Sequence, residues 1–214
     1  MPGPRVKICG NTNLVDATRA VELGAWALGL IFYDRSPRRC PIAEAEAIAA
    51  SLRRRAELCG VFVNAPLGRV TGLADRLGLT MLQLHGDEGP AYCAEAARRT
   101  GCRVAKAARM RSQADLRALE AFRTDYHLLD SYARDLRGGT GAPFDWELVR
   151  HRRDGLPIIL SGGLTPENVG QAIEVTRPFA VDVASGVEAE PGVKDAARLE
   201  AFFDAVRQSA PVTA

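Results

Sequence analysis

Short runs of β-branched and other apolar residues alternate along the chain with longer segments whose apolar residues recur at helical spacing. The short runs predict eight strands, over Arg5–Cys9, Trp26–Phe32, Leu58–Val63, Thr80–Leu84, Arg103–Ala107, Tyr126–Asp130, Pro157–Leu160 and Phe179–Val183. The longer segments predict eight helices, over Asn13–Leu23, Ile42–Arg54, Leu67–Leu77, Pro90–Thr100, Ser112–Phe122, Phe144–Arg152, Pro166–Val175 and Ala196–Gln208. Because strands joined through helices run parallel, the pattern predicts a parallel sheet covered by helices.

The ends of the predicted helices carry the expected residue types. Thr165 followed by Pro166 predicts a helix N-terminus with proline at the first helical position. Gly24 and Gly78 directly follow apolar-periodic runs, where glycine commonly ends a helix.

Eight consecutive strand–helix units favour a closed (β/α)8 TIM barrel over an open doubly wound sheet, because closure leaves no exposed edge strand. The chain has 214 residues, whereas a typical barrel of this kind has about 250, so the loops must be short. No linker or low-complexity segment interrupts the alternation. We therefore expect residues 1–214 to form a single barrel domain.

Composition and charge exclude several classes of protein. The formal net charge is only +2, which argues against a nucleic-acid partner. No apolar stretch approaches the roughly 18 residues of a membrane span, and the N-terminus lacks a signal-peptide pattern, so we expect a cytoplasmic protein with no membrane partner. The five cysteines form no C-x-x-C pair and the three histidines no ligand spacing. Reduced thiols without a metal or other cofactor are therefore expected.

Side chains of a barrel strand alternate between the interior and the helix layer. In the first strand Val6 and Ile8 would face the helices, which leaves Arg5, Lys7 and Cys9 facing inward. In three later strands the same alternation points Gln83, His85, Leu128, Asp130, Ala180 and Asp182 inward. It points Leu82, Leu84, Leu129, Phe179, Val181 and Val183 outward.

Three ionisable residues stand at the C-terminal ends of their strands, where active sites of such barrels lie. Taken singly, Cys9 could be a small buried apolar residue, His85 a core histidine with satisfied hydrogen bonds, and Asp130 a turn cap. Packing alone does not explain why all three converge on the open end of the barrel, where the strands have their C-terminal ends. The convergence predicts an active site there.

A lysine in the barrel interior needs a compensating charge, because burial of an unpaired ammonium group is costly. Lys7 lies two residues before Cys9, and strands one and eight become neighbours when the barrel closes. Asp182 on strand eight is therefore the expected partner of Lys7. The alternative is that Lys7 reaches up to the mouth and contacts water or substrate.

Three glycine-rich segments indicate a phosphate site, since glycine lets backbone N–H groups approach an anion closely. They are Gly138–Gly141, Ser161–Leu164 and Ala184–Glu188. The last two follow strands seven and eight, where many such barrels hold a substrate phosphate. A small phosphorylated substrate is therefore expected.

With these residues in view, the chain resembles the phosphoribosylanthranilate isomerases of tryptophan biosynthesis. The resemblance runs from Lys7 to about Asp195. Its blocks are Lys7–Gly10, Gly29–Tyr33, Ser36–Arg38, Gly60–Asn64, Gln83–Gly86, Leu128–Asp130, Gly138–Gly141, Phe144–Trp146, Leu160–Val169 and Ala180–Glu188.

The resemblance implies an Amadori rearrangement of N-(5-phosphoribosyl)anthranilate to 1-(2-carboxyphenylamino)-1-deoxyribulose 5-phosphate, without cofactor or metal. It implies that Asp130 is the general acid, that Cys9 is the general base, and that Arg38 binds the anthranilate carboxylate. The base would be a thiolate favoured by a slightly depressed pKa of Cys9, aided by the nearby charge of Lys7. The other expected substrate contacts are His85, Gly141, Gly162, Gly163, Asp182, Ser185 and Gly186. A monomer or a homodimer is expected.

Two departures from the family pattern stand beside the site. Asn11 replaces a common aliphatic residue, and Ala184 replaces a common serine, which could remove one hydroxyl contact to phosphate. Three rival functions remain. One is the barrel isomerase of histidine biosynthesis, which the cysteine at position 9 and the single set of phosphate loops disfavour. A bifunctional isomerase is disfavoured by the same cysteine, and a catalytically silent sugar-phosphate-binding barrel by the pair of Cys9 and Asp130.

Overall fold

Eight parallel strands close into a barrel in chain order in a computed structural model of the chain, which describes residues 3–131, Trp146, Val149 and 155–209. The strands are β1 Arg5–Cys9, β2 Ala27–Ile31, β3 Glu57–Phe62, β4 Met81–Leu84, β5 Arg103–Met110, β6 Tyr126–Ser131, β7 Ile158–Ser161 and β8 Ala180–Val183. The predicted TIM barrel is confirmed.

The described part of the chain contains seven α-helices. They are α1 Leu14–Glu22, α2 Ile42–Leu52, α3 Leu67–Leu77, α4 Pro90–Thr100, α5 Gln113–Leu119, α6 Val169–Thr176 and α7 Ala196–Gln208. The bounds of α3, α4 and α7 are as predicted. The helix predicted over Phe144–Arg152 lies outside the described residues except for Trp146 and Val149, which are both buried.

The helix predicted to begin at Pro166 begins three residues later, at Val169. The Thr165 hydroxyl accepts a hydrogen bond from the Glu167 N–H at 3.3 Å, but the Asn168 side chain bonds back to the Thr165 N–H at 2.8 Å. This local hydrogen bond holds the segment in a turn before the helix begins. By contrast, Gly78 ends α3 in the left-handed conformation, as predicted.

Two differences alter the C-terminal side of the barrel. Strand β5 runs to Met110, beyond the predicted end, because it pairs with β6 as far as Ser131. After β8 lie a 3-10 helix over Ser185–Val187 and a short antiparallel pair, β9 Glu188–Glu190 and β10 Val193–Lys194, which the hydrophobic pattern does not predict. Both additions lie beside the predicted site.

The core has an outer layer between strands and helices and a smaller cluster inside the barrel. Val6 and Ile8 belong to the outer layer, whereas Cys9, Leu128 and Ala180 belong to the interior cluster, as the alternation predicts. The prediction for Phe179 is wrong. It packs against the interior cluster because it precedes β8 and is free of that strand's alternation.

Within residues 3–131 and 155–209, no helix combines the length and the apolar character that crossing a membrane requires.

Candidate active site

The predicted site residues that the structure describes lie at the C-terminal ends of the strands or in the loops that follow. Cys9 ends β1, His85 directly follows β4, Asp130 is next to last in β6, and Asp182 lies in β8. Arg38 lies between β2 and α2, and the glycine loops follow β7 and β8. Gly141 lies outside the described residues, together with the Gly138–Gly141 segment.

Asp130 is part of a hydrogen-bonded row of three side chains. The His85 Nε2 atom lies 3.2 Å from Asp130 Oδ2, and the Gln83 Nε2 atom lies 3.0 Å from His85 Nδ1. With Gln83 Nε2 as the donor, Nδ1 accepts and the imidazole proton lies on Nε2, from which it is donated to Asp130. Gln83 was predicted to face inward, but nothing in the sequence gave it this part in orienting His85.

The predicted pair of Lys7 and Asp182 is present. Their strands place them opposite each other, and Lys7 Nζ lies 2.8 Å from Asp182 Oδ1. The second carboxylate oxygen accepts a hydrogen bond from the Ser161 hydroxyl at 3.2 Å. Burial alone would lower the pKa of Lys7, but the adjacent Asp182 carboxylate raises it above its ordinary value, so the pair is ionic. Lys7 therefore binds Asp182 inside the barrel rather than water.

The thiol of Cys9 is almost fully buried, with 6% of its surface exposed. Burial raises the pKa of Cys9 above its ordinary value, and the positive charges of Lys7 and Lys194 offset only part of this increase. The expected net depression of the Cys9 pKa is therefore wrong for this arrangement of charges. The expected direction of the influence of Lys7 is correct.

Arg38 belongs to a chain of ionic contacts that reaches the backbone of Cys9. Its guanidinium group binds the Glu188 carboxylate through Nε and Nη2, both at 2.8 Å from Oε2. Glu188 also accepts a hydrogen bond at 2.9 Å from Lys194, whose ammonium group donates to the Cys9 carbonyl at 2.6 Å. Burial opposes ionisation of Glu188, but Arg38 and Lys194 hold its pKa below the ordinary value.

Sequence reasoning gave no part to Glu188 or Lys194. Glu188 stands in a block that matches the family, so a signal existed for it. Lys194 lies in the unpredicted strand β10, and no local pattern connects it to β1. The pairing of β9 with β10 places Lys194 opposite Glu188, and only the closed barrel brings Lys194 to the Cys9 carbonyl.

The two departures from the family pattern, Asn11 and Ala184, both take part in hydrogen bonds that involve backbone carbonyl groups. The Asn11 side chain is buried and donates to the Ile8 carbonyl at 2.8 Å, which ties down the chain that follows Cys9. The Ala184 carbonyl accepts from Lys194 at 3.4 Å. Within the described residues, neither side chain forms a hydrogen bond with the side chain of Cys9 or of Asp130.

The glycine loops after β7 and β8 contact each other. Gly162 and Gly163 both have positive φ, at 89° and 64°, which few residues other than glycine adopt. A Cβ on Gly186 would lie 1.9 Å from the Leu164 carbonyl oxygen. Glycine at position 186 is therefore required for close packing of the loops, whatever the loops bind.

A second buried pair fixes the loop that carries His85. Lys106 Nζ lies 3.0 Å from Glu88 Oε2, and the Glu88 carboxylate accepts from the N–H groups of Asn64 and Gly86 at 2.7 and 2.8 Å. Beside this loop opens a cavity of about 380 Å³, lined among others by His85, Lys106 and the exposed Arg109. No sequence pattern predicts this pairing of Glu88 with Lys106.

No group of three or more His, Cys, Asp or Glu side chains within the described part of the chain is arranged to hold a metal ion.

Comparisons with known proteins agree on one family. The family model for N-(5'phosphoribosyl)anthranilate (PRA) isomerase matches residues 6–205. The isomerase of that name from Geobacter metallireducens is 45% identical over 199 residues, which cover 93% of this chain and 96% of the relative. The crystal structure of phosphoribosyl anthranilate isomerase from Thermotoga maritima is 40% identical, with a TM-score of 0.89 and coverage of 96% and 99%. Another isomerase structure, in complex with reduced 1-(O-carboxyphenylamino)-1-deoxyribulose 5-phosphate, is 39% identical, with a TM-score of 0.86 and the same coverage.

Proposed function

The chain belongs to the N-(5′-phosphoribosyl)anthranilate isomerase family, the aldose–ketose isomerases of tryptophan biosynthesis, and we propose that it catalyses their Amadori rearrangement in a single barrel domain. The substrate is N-(5-phosphoribosyl)anthranilate and the product is 1-(2-carboxyphenylamino)-1-deoxyribulose 5-phosphate. The observation that carries the proposal is the placement of Cys9 and Asp130 at the ends of β1 and β6, at the same mouth of a barrel that matches this family.

The reaction begins with opening of the ribose ring. The Asp130 carboxylic acid donates its proton to the furanose oxygen, the bond from that oxygen to C1′ breaks, and the nitrogen lone pair forms a protonated Schiff base. The His85 Nε2–H lies 3.2 Å from Asp130 Oδ2, so it can stabilise the carboxylate that remains. Gln83 holds His85 in this orientation.

The second step removes the C2′ proton, which the neighbouring Schiff base makes acidic. The Cys9 thiolate takes this proton and becomes a thiol, and the electron pair of the C–H bond neutralises the Schiff base to give an enolamine. Tautomerisation then moves a proton to C1′ and leaves a ketone at C2′. The step requires no cofactor, because the substrate nitrogen itself accepts the electron pair.

Binding uses the two charged ends of the substrate. Arg38 binds the anthranilate carboxylate with its planar guanidinium group, which a lysine cannot copy. In the structure the same group binds Glu188, so a substrate carboxylate has to share or replace that contact. Backbone N–H groups of the loops around Gly162–Gly163 and Ser185–Gly186, with the Ser185 hydroxyl, bind the phosphate. Gly141 and Asp182 stay predicted substrate contacts.

Two broader expectations also stay predictions. The chain acts as a monomer or a homodimer, and it acts in the cytoplasm. The small phosphoribosyl ligand has support in the related isomerase that was solved with a reduced product-like compound.

The direct test is an assay of the purified protein with freshly prepared N-(5-phosphoribosyl)anthranilate. We expect a change in the anthranilate-type fluorescence that is faster than the spontaneous decay of this labile compound, and product identified by mass spectrometry. The control is the phosphoribosyl-formimino substrate of histidine biosynthesis, which should not be converted. Folded protein that leaves the anthranilate substrate unchanged, or that converts both substrates equally well, would contradict the proposal.

A further inference from the structure

Lys7 is a fully buried lysine for which the proposed reaction has no task. Its side chain has no exposed surface, and it stands one interior layer below the thiol of Cys9 on the same strand. Its ammonium group donates to Asp182 Oδ1 at 2.8 Å, and the Ser161 hydroxyl donates to the other oxygen of the same carboxylate at 3.2 Å. A buried ion pair is weak evidence for a contribution to stability, because two apolar residues of similar volume often serve as well. Its place beside the base needs another explanation.

The ammonium group of Lys7 and the sulfur of Cys9 lie against the same backbone position on the neighbouring strand. A Cβ on Gly29 would lie 2.7 Å from Cys9 Sγ and 3.1 Å from Lys7 Nζ. The two atoms are therefore within the roughly 4–6 Å over which an opposite charge favours the ionised form of a group. Any side chain at position 29 would occupy the space that both groups use.

Four ionisable groups face Cys9 within the described residues. Lys7 comes from the same strand, Asp182 from β8, Lys194 from β10 and the buried Cys59 from β3. Lys194 binds the Cys9 carbonyl at 2.6 Å and is itself neutralised by Glu188. Asp182 opposes a negative charge on Cys9. Lys7 is thus the group whose charge acts most strongly in favour of a thiolate.

We infer that Lys7, held by Asp182, is a positioning residue whose ammonium group stabilises the Cys9 thiolate inside the barrel, and that Gly29 leaves the space in which the two groups meet. The inference rests on the proposed role of Cys9 as the base. Lys7 neither donates nor accepts a proton in the reaction. It provides a fixed positive charge where the surrounding apolar residues would otherwise keep the thiol neutral.

The test is a titration of Cys9 by the ultraviolet absorbance of its thiolate, taken as the difference between the wild-type protein and Cys9→Ser. Lys7→Met should raise the titration midpoint, so that the thiolate fraction at neutral pH falls about tenfold or more. Asp182→Asn should raise the midpoint less than Lys7→Met, because it removes a negative charge that opposes the thiolate together with the carboxylate that keeps Lys7 ionised. A purely structural role of the pair predicts the same midpoint in the two variants.

Lys7→Met leaves a buried carboxylate without a partner, so a double variant keeps the test valid if the single one does not fold. Lys7→Met combined with Asp182→Asn removes both charges, and the midpoint should still rise because the effect of Lys7 on Cys9 exceeds that of Asp182. Lys106→Met is the matched control, since it breaks the buried pair with Glu88, which does not contact Cys9. It should leave the Cys9 midpoint unchanged.

The proposed function is tested separately, because the titration needs no substrate. If Cys9→Ser remains active, the role of Cys9 is wrong whatever the titration shows. If Cys9 is the base, the acid limb of the pH profile of kcat/KM should move with the midpoint in each variant. A folded double variant with the wild-type midpoint, or a folded Lys7→Met variant whose midpoint does not rise, would overturn the role of Lys7.

Discussion

At the N-terminal end of the barrel three aromatic rings close the interior, whereas buried charges line the C-terminal end. Trp26 packs edge-on against Tyr126 and Phe179, at centroid distances of 5.9 and 5.4 Å, and the latter two rings stack at 5.3 Å. Arg5 lies over the rings of Trp26 and Phe179, at 5.4 and 5.0 Å. We call Arg5, Trp26, Tyr126 and Phe179 the floor.

The opposite end, which we call the mouth, contains the ion pairs of Lys7 with Asp182 and of Lys194 with Glu188. Both lysine side chains are fully buried. Removing such charges from water is unfavourable, and their mutual attraction compensates only when the geometry is good. Ring contacts in the floor stabilise the fold, whereas burial of charges at the mouth lowers the free energy of unfolding unless their pairing compensates. The comparison predicts that changes in the floor affect folding, whereas changes in the mouth affect chemistry and affect folding only where they leave a buried charge without a partner.

The largest expected effect is a loss of stability at the mouth, which is an exception to this division. Lys7→Met lies in the mouth but should lower the free energy of unfolding by roughly 3–5 kcal/mol, because it leaves Asp182 buried without a partner. Denaturant titration measures the loss. The double variant with Asp182→Asn should recover much of it, because no lone charge remains. A double variant as unstable as the single one would show that packing, rather than charge, sets the cost.

The next largest effect is a loss of activity without a loss of stability, at the proposed base and acid. Cys9→Ser and Asp130→Asn should each lower kcat at least ~100-fold, as loss of a general base or acid does. The free energy of unfolding should change by less than about 1 kcal/mol, since these changes keep size and polarity. Cys93→Ser, at a buried cysteine in α4, is the matched control with near wild-type kcat. Substantial kcat in either mouth variant at saturating substrate would contradict its proposed role.

A smaller effect is expected in the floor. Trp26→Ala should lower the free energy of unfolding by about 2 kcal/mol, less than for a fully buried tryptophan because Trp26 is only half-buried. Thermal or denaturant unfolding measures this, and kcat of the folded enzyme should stay within a few-fold of wild type. Trp26→Phe, which keeps a ring, should lose less. A fall in kcat comparable to that of Cys9→Ser would remove the distinction between the two ends.

The smallest effect concerns substrate binding at the mouth. Arg38→Ala should raise KM about tenfold and lower kcat less, because the anthranilate carboxylate stays bound throughout the reaction. Steady-state kinetics measures both constants. Arg39→Ala is the matched control, since Arg39 pairs with Asp34 at the surface. Equal binding of product analogues with and without the carboxylate by the wild-type enzyme would contradict this role of Arg38.

The barrel, its strand order and most interior positions could be predicted from sequence, because they follow from local periodicity and from the closure of parallel strands. The pair of Lys7 and Asp182 was predictable for the same reason, since alternation points both inward and closure makes their strands neighbours. The resemblance to the isomerase family is confirmed by the match over residues 6–205. Each of these inferences uses only short segments and their order.

Tertiary structure alone decided how the charges at the mouth are arranged. The contacts of Arg38 with Glu188 and of Lys194 with Cys9 join segments that lie about 150 and 185 residues apart in the chain. No periodicity encodes such contacts. The net rise in the pKa of Cys9 was also missed, because it depends on how completely the barrel removes the thiol from water relative to the distance of Lys7. The sequence determined which residues enter the interior, whereas the free energy of a charge there depends on distances and burial that only the closed barrel sets.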